Sequence, residues 1–446
     1  MIESKKVQKM LYGGDYNPEQ WPEEIWEEDM RLFHKAHIDV VTLNVFSWAA
    51  LQPDESTYDF SKLDKIMKLV KDNGLKVCMA TSTAAHPAWM ARKYPDILRV
   101  EHNGMKRKFG ARHNSCPNSP NYRKYSAALV EKIAERYKDY DNIVAWHINN
   151  EFGGWCYCEN CEKAFRVWLQ KKYGTLDELN RVWNTAFWSH TMYDWDDVVA
   201  CNMLSEEFLW DGQIRTNFQG ISLDYNRFNS DSMLECFNIE KDVLKRITPD
   251  IPVTTNLMGA YKHLDYQKWA KDMDFVSWDN YPAYDAVPGD AAMNHDLMRG
   301  LKQGKPFALM EQTPGVSNWH IYCKLKRPGV MRLWSYEAVA HGADTVMFFQ
   351  MRRSMGACEK YHSGVIEHVG TDDTRVFREI TALGAELDKL QGVTLGARAK
   401  SDVAIVFDWD NWWAMEYASA YCMPNKNFNY LKKISKYHKA LFDKNI

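Results

Sequence analysis

The sequence predicts an α/β protein: a (β/α)8 TIM barrel with long insertions in its βα loops, followed by the start of a second α/β domain. Three observations carry this expectation. Eight apolar runs of strand length alternate with helix-length amphipathic segments before about residue 390, which is the rhythm of parallel βα units. No Gly-rich phosphate fingerprint follows an early strand, so the usual ligand signal of a doubly wound open sheet is missing. The pattern restarts after Ser401, and 446 residues leave room for one large barrel and an appendage. The barrel is expected over residues 1–395 and the incomplete second domain over 396–446.

The predicted strands are KMLYGGDY (9–16), DVVTLNVF (39–46), LKVCMATST (75–83), NIVAWHINNE (142–151), PVTTNLM (252–258), DFVSWDNY (274–281), PFALMEQ (306–312) and TVMFFQMR (345–352). Each is followed by a plausible helix. PEEIWEEDMRLFHKAH opens with Pro22 and acidic residues, as a helix N-terminus prefers, and spaces Ile25, Met30 and Phe33 along one side. Two long excursions, 84–119 after the third strand and 152–251 after the fourth, sit where barrels build their substrate clefts. Beyond Ser401, VAIVFDWD reads as a buried strand and NYLKKISKYHKALFDKN as a helix. One strand and one helix do not bury their own apolar faces, so the second domain is expected to be incomplete.

Hydrophobic residues make up 46% and charged residues 26%, which excludes disorder. A formal net charge of −3 gives no electrostatic reason for a nucleic acid or an anionic membrane as partner. The N-terminal MIESKKVQKMLYGG has no apolar signal core, and no run reaches the roughly 18 apolar residues of a membrane span, so a cytoplasmic protein is expected. Ten cysteines in such a chain are free thiols or metal ligands rather than a disulfide framework. The 18 Trp and 23 Tyr offer faces for sugar stacking, although any single ring is as well explained by core packing.

Chemistry concentrates at the strand ends. Glu151 ends the fourth predicted strand and Glu311 the apolar run of the seventh, which a closed barrel brings to opposite sides of one mouth. Two facing carboxylates suit glycoside hydrolysis, one protonating the leaving oxygen while the other attacks the anomeric carbon. That division requires unequal pKa values, the acid held protonated and the nucleophile kept ionised by donors around it. Asn150 is placed to bond the sugar 2-OH. For either acid alone, a structural ion pair or cap explains the residue as well.

Cys156, Cys158 and Cys161 form C-x-C-x-x-C, with Cys116 in the preceding long loop. Four thiolates suit a closed tetrahedral Zn²⁺ site, and four sulfurs leave no open position for a reacting water. Free cysteines or an adventitious disulfide are the plain alternatives. Cys78, Cys201, Cys236, Cys323, Cys358 and Cys422 show no ligand spacing, and Cys78, inside a strand, is expected in the core.

DYNPEQWP (15–22), RHNSCPNSP (112–120), NNEFG around Glu151, the C-x-C-x-x-C run and the Glu311 strand together resemble glycoside hydrolase family 42, the β-galactosidases of bacteria and archaea. The resemblance implies a retaining β-galactosidase with Glu151 as acid/base and Glu311 as nucleophile. It further implies sugar contacts from Arg112, Asn150, Tyr281, Trp319, Phe349, Glu359 and His362, and a structural zinc on Cys116, Cys156, Cys158 and Cys161. Family members are typically homotrimers with a flavodoxin-like middle domain and a small β domain beyond it. This chain departs from that pattern by ending inside the middle domain. Trp183 and Trp188, in the large insertion, face either a neighbouring subunit or the core.

Three rival readings make different demands. A sugar-binding barrel without catalysis predicts a missing carboxylate. A zinc-dependent hydrolase predicts His or carboxylate ligands around an open metal. The same mechanism on α-L-arabinopyranosides or β-D-fucosides differs from galactosidase action only at C6.

Overall fold

The computed structural model describes residues 6–204, 218–417 and 429–446. Nine short parallel strands form one sheet: β1 (Leu11–Asp15), β2 (Val40–Leu43), β3 (Lys76–Ala80), β4 (Ile143–His147), β5 (Val253–Thr254), β6 (Asn256–Leu257), β7 (Ser277–Asp279), β8 (Phe307–Glu311) and β9 (Ala343–Phe348). Their spatial order is β5-β4-β3-β2-β1-β9-β8-β7-β6. The two edges, β5 and β6, are separated only by Thr255, so the sheet closes on itself and the eight predicted strands are all present. The fifth is split because Val253 and Thr254 pair with β4 whereas Asn256 and Leu257 pair with β7.

Strand residues are buried almost throughout, as expected for parallel strands with helices outside and side chains within. Leu11, Val40, Cys78, Ala145, Ala308 and Met347 fill the barrel interior, and Cys78 is core as the sequence suggests. At β1 the backbone of the neighbours comes very close. A Cβ on Gly13 would meet Val40 O at 1.7 Å, and one on Gly14 would meet Phe348 O at 2.1 Å. Gly14→Ala is therefore expected to force β1 from its neighbours and to cost about 3 kcal/mol, read as a lower urea midpoint at unchanged slope.

The predicted strands overshoot the observed ones at their C-terminal ends, because the polar tails leave the ladder to line the mouth. The first predicted helix starts later than expected: a 3₁₀ turn at Glu23–Ile25 precedes the helix Trp26–Lys35, and Met30 and Phe33 are buried while Ile25 is only half-buried. Ser119 caps the helix Pro120–Tyr137 by accepting from Tyr122 N, and Pro120 fits the first turn, where a backbone N–H has no helical partner. The 152–251 excursion contains helices Glu159–Tyr173 and Leu176–Trp183, with their own small core, before Gln219–Ile247 returns to pack on Pro120–Tyr137.

The predicted strand VAIVFDWD does not form. Residues 401–408 join no ladder, and Val403 and Val406 are exposed, because a strand needs a sheet edge and none among the described residues reaches it. Helix Trp409–Tyr417 begins there instead, and the helix predicted in NYLKKISKYHKALFDKN is present as Tyr430–Phe442. These sit against the barrel: Trp409 and Trp413 donate to the carbonyls of Tyr261 and Lys262 at 2.8 and 2.7 Å, and His438 meets Asp296 at 2.7 Å. Cys422 lies outside the described residues. No helix among the described residues is long and apolar enough to cross a membrane.

Candidate active site

The strand ends converge on one mouth, and its acids come from four directions: Asp15 ends β1, Glu151 follows β4, Asp279 ends β7 and Glu311 ends β8. The β7–β8 ladder pairs Asp279 directly with Glu311 after a register shift, which sets two carboxyls side by side. Glu151 reaches them from a turn in which Asn149 and Glu151 itself adopt left-handed φ values of 58° and 44°. Such positions are costly for residues with a side chain and are held by their surroundings. Here the Asn149 amide donates to Thr83 Oγ1 and the Tyr122 hydroxyl at 3.0 and 3.1 Å, while Glu151 N donates to Asn256 Oδ1 at 2.7 Å.

One oxygen from each of Glu151, Asp279 and Glu311 lies within 4.8 Å of the others. Glu311 receives Tyr281 OH at 2.5 Å on one oxygen and Asn256 Nδ2 at 2.9 Å on the other. Glu151 pairs with Arg112 Nη1 at 2.6 Å, with Asn150 Nδ2 3.5 Å away. Asn256 is the hub, since its amide also faces Asp279 Oδ2 at 2.6 Å and Asn150 Oδ1 at 3.1 Å. His147 Nε2 lies 2.9 Å from Asn256 Oδ1 and fixes which way that amide points.

Burial raises the carboxyls of Glu311 and Asp279 well above the ordinary range, and their negative neighbours add to it. For Glu311 the Tyr281 hydroxyl and Arg112 pull the other way. Asp15 is pushed up to about 8, mainly by burial, and Glu359 is raised for the same reason. Burial lowers His362 to about 4, leaving it neutral. Glu151 is the partner of the guanidinium, and burial falls hardest on Glu311 and Asp279.

Among the residues singled out from sequence, Arg112, Asn150, Glu151, Tyr281, Glu311, Trp319, Phe349 and Glu359 line one narrow slot of about 30 Å³, joined by Phe46. His362 stands one layer back, its ring 5.8 Å from Tyr281 and 5.0 Å from Phe349. The slot shares Arg112, Glu151, Tyr281 and Trp319 with a cleft of about 500 Å³ that continues past Met258 and Asn294 to Leu431 of the last helix. Trp319 is 54% exposed at this junction, which leaves a face free to stack on a ring. Asn256, Asp279 and Asp15 carry much of the site's bonding and charge, and the sequence marks them only as polar residues closing apolar runs.

The cysteine cluster lies at the base of the loop that begins at Glu151. Sulfurs of Cys116, Cys156, Cys158 and Cys161 all lie within 4.8 Å of one another, with Cys116 Sγ 3.3 Å from Cys158 Sγ and 3.5 Å from Cys161 Sγ. All four are free thiols. The sulfurs of a tetrahedral site with Zn–S bonds of about 2.3 Å are about 3.8 Å apart, so this donor set fits a zinc ion once its closest pairs spread by a few tenths of an ångström. Amide groups already point at the sulfurs, as thiolates require: Asn118 N at 3.3 Å from Cys116, Asn118 Nδ2 at 3.4 Å from Cys161 and Val100 N at 3.5 Å from Cys156. Trp183 is buried beside this cluster and donates to Asp224 at 3.0 Å, whereas Trp188 is 52% exposed and stacks on Phe187.

Comparison with known proteins gives a consistent picture. A family model described as β-galactosidase matches residues 15–390, and one described as β-galactosidase trimerisation domain matches residues 401–446. The chain is 59% identical to β-galactosidase BgaP of a Planococcus species, over 99% of this chain and 64% of that protein. It is 50% identical to β-galactosidase LacZ of Lactobacillus acidophilus, over 99% of this chain and 66% of that protein. The crystal structure of β-galactosidase from Bacillus circulans sp. alkalophilus superposes with a TM-score of 0.95 at 63% identity, covering 99% of this chain and 64% of that one. The chain therefore spans a little under two thirds of the length of these relatives.

Proposed function

The chain belongs to the glycoside hydrolase family 42 β-galactosidases, and from that premise we propose that it releases terminal β-D-galactosyl residues by double displacement. The observation that carries this reading is the placement of Glu151 and Glu311 in one slot, with carboxylate oxygens no more than 4.8 Å apart. That spacing favours retention, for which the carboxyl groups stand about 5–5.5 Å apart, over inversion, which needs roughly 6.5–9.5 Å for a water.

Glu311 is the nucleophile. The Tyr281 hydroxyl and the Asn256 amide hold its two oxygens in fixed directions and stabilise the carboxylate they must release at the anomeric carbon. Glu151 protonates the leaving oxygen and later takes the proton of the attacking water. Asn150, one residue before the acid and bonded through Asn256, is set to receive the sugar 2-OH. Phe349, Trp319, Glu359 and Arg112 surround the same ring, with His362 supporting Tyr281 and Phe349 from behind. The aglycone lies in the adjoining cleft toward Leu431.

Cys116, Cys156, Cys158 and Cys161 would hold a structural Zn²⁺ whose contribution is to pin the loop that carries Glu151, with no part in the chemistry. The trimerisation-domain match supports assembly through the C-terminal region, for which light scattering is the test.

The defining experiment compares aryl β-galactoside, β-fucoside and α-arabinopyranoside and follows the first-formed anomer by NMR. The galactoside is expected to give the highest kcat/KM, and β-galactose is expected first. α-Galactose as the initial product would exclude double displacement, and a faster fucoside or arabinopyranoside would move the substrate class.

A further inference from the structure

We propose that Asp279 is the proton store of the catalytic site, holding the proton that Glu151 must carry before it acts as the acid. The inference rests on the reading of Glu151 as acid/base and Glu311 as nucleophile.

The three clustered carboxyls are not equally supplied with donors. Glu311 has Tyr281 OH and Asn256 Nδ2, one for each oxygen. Glu151 has the Arg112 guanidinium at 2.6 Å. Asp279 has only a share of the Asn256 amide on Oδ2, and its buried Oδ1 receives no donor among the described residues. An ionised Asp279 would leave that oxygen an uncompensated buried charge, so it is the carboxyl that keeps a proton. Its neighbours agree. Glu311 beside it on β8, Glu151 across the mouth and Asp15 on β1 are acids, Tyr281 and Tyr266 also face it, and Arg112 lines the same cleft. Burial, then Glu311 and Glu151, push the Asp279 carboxyl well up, and one oxygen of Glu151 lies within 4.8 Å of one of its own.

This arrangement resolves a conflict within the site. Arg112 favours an ionised Glu151, yet the first half-reaction needs Glu151 protonated. A sugar ring entering the slot that Arg112 lines takes the guanidinium onto its own hydroxyls and off Glu151. Losing that partner raises the proton affinity of Glu151, and the Asp279 proton crosses to it. Glu151 then gives this proton to the leaving oxygen as the C1–O bond breaks and Glu311 bonds C1. Water adds its hydroxyl to C1, restores the Glu311 carboxylate and leaves its other proton on Glu151. When the product departs and Arg112 returns, that proton goes back to Asp279. The summed charge of the three acids and the ester is the same at every stage.

The test uses Asp279→Asn, which keeps size and can donate to Glu151 but holds no transferable proton, with Asp279→Ser as a second variant. An amide donor favours the Glu151 carboxylate, so Glu151 loses its proton at lower pH. For a substrate with a poor alkyl leaving group, kcat/KM at neutral pH is expected to fall about 100-fold, and the alkaline limb of its pH profile is expected to move to lower pH. With 2,4-dinitrophenyl β-galactoside, whose leaving group needs no proton, kcat/KM should change less than about threefold. A merely structural role would depress both substrates alike. Equal losses on the two substrates, or an unmoved alkaline limb, overturn the proposal. If Glu151→Gly separates the two leaving groups and Asp279→Asn does not, only this inference fails. If the wild type hydrolyses neither substrate, the reading on which it rests fails with it.

Discussion

Replacing Glu311 with glycine is expected to lower kcat roughly 10⁵-fold, about 7 kcal/mol of transition-state stabilisation, with little change in fold. The fold should survive because the carboxyl sits at the end of β8, where its bonds to Tyr281 and Asn256 serve the mouth rather than the barrel core. Burial already disfavours the ionised Glu311, so its removal also relieves a site crowded with acids, and the melting temperature is expected to stay level or rise. Adding azide separates the roles of the two glutamates. In Glu311→Gly the anion enters the space the nucleophile vacates, opposite the leaving group, and the product is α-galactosyl azide. In Glu151→Gly the covalent intermediate still forms from an activated galactoside, azide attacks it from the other face, and the product is β-galactosyl azide. A reversed pair of products would exchange the assignments, and wild-type turnover by Glu311→Gly would remove that residue from the chemistry.

Much of this was legible in the sequence because barrels write their architecture locally. Apolar runs closed by polar residues mark strands and their functional ends together, which is how Glu151 and Glu311 stand out in the sequence, whereas Tyr281 is singled out only by the family resemblance. Two kinds of information were not local. The strand expected at VAIVFDWD has the right composition, but a strand is completed by a neighbour's ladder, and composition says nothing of whether one is within reach. The contributions of Asn256 and Asp279 arise from the lateral pairing of β6, β7 and β8, which puts residues 55 apart in sequence, such as Asn256 and Glu311, into one hydrogen-bond network. The same applies to Arg112. Its place before Cys116 identifies the loop, whereas its ion pair with Glu151 depends on how that loop folds over the mouth. Sequence therefore locates the acids more readily than it ranks their proton affinities, since the ranking depends on how donors are shared.

Stripping the proposed zinc from the four thiols is expected to produce the largest loss of stability. A structural Zn²⁺ contributes about 10–16 kcal/mol in small metal-dependent domains. With an unfolding entropy of about 2.1 cal/mol/K per residue, each kcal/mol moves the melting temperature of a 446-residue chain by about 1 °C, so a fall of roughly 10 °C is expected. Cys158→Ser is the sharper version of the experiment, because Cys158 is the least buried of the four and its replacement opens no cavity. Wild-type protein should contain one zinc per chain, and the variant should lose it with that fall. Turnover should fall as well. Only four residues separate Glu151 from Cys156, and Gly153 and Gly154 between them are tied to Arg99 and Asn229 by bonds of 2.8 and 2.9 Å, so loosening the sulfurs frees the strained turn that aims the acid. The loss should appear mainly in kcat for poor leaving groups, since it is the proton donor that drifts. A metal-free wild type with an unchanged melting temperature would show instead that the four thiols pack without an ion, and that the turn is held by Asn149, Asn256 and the barrel alone.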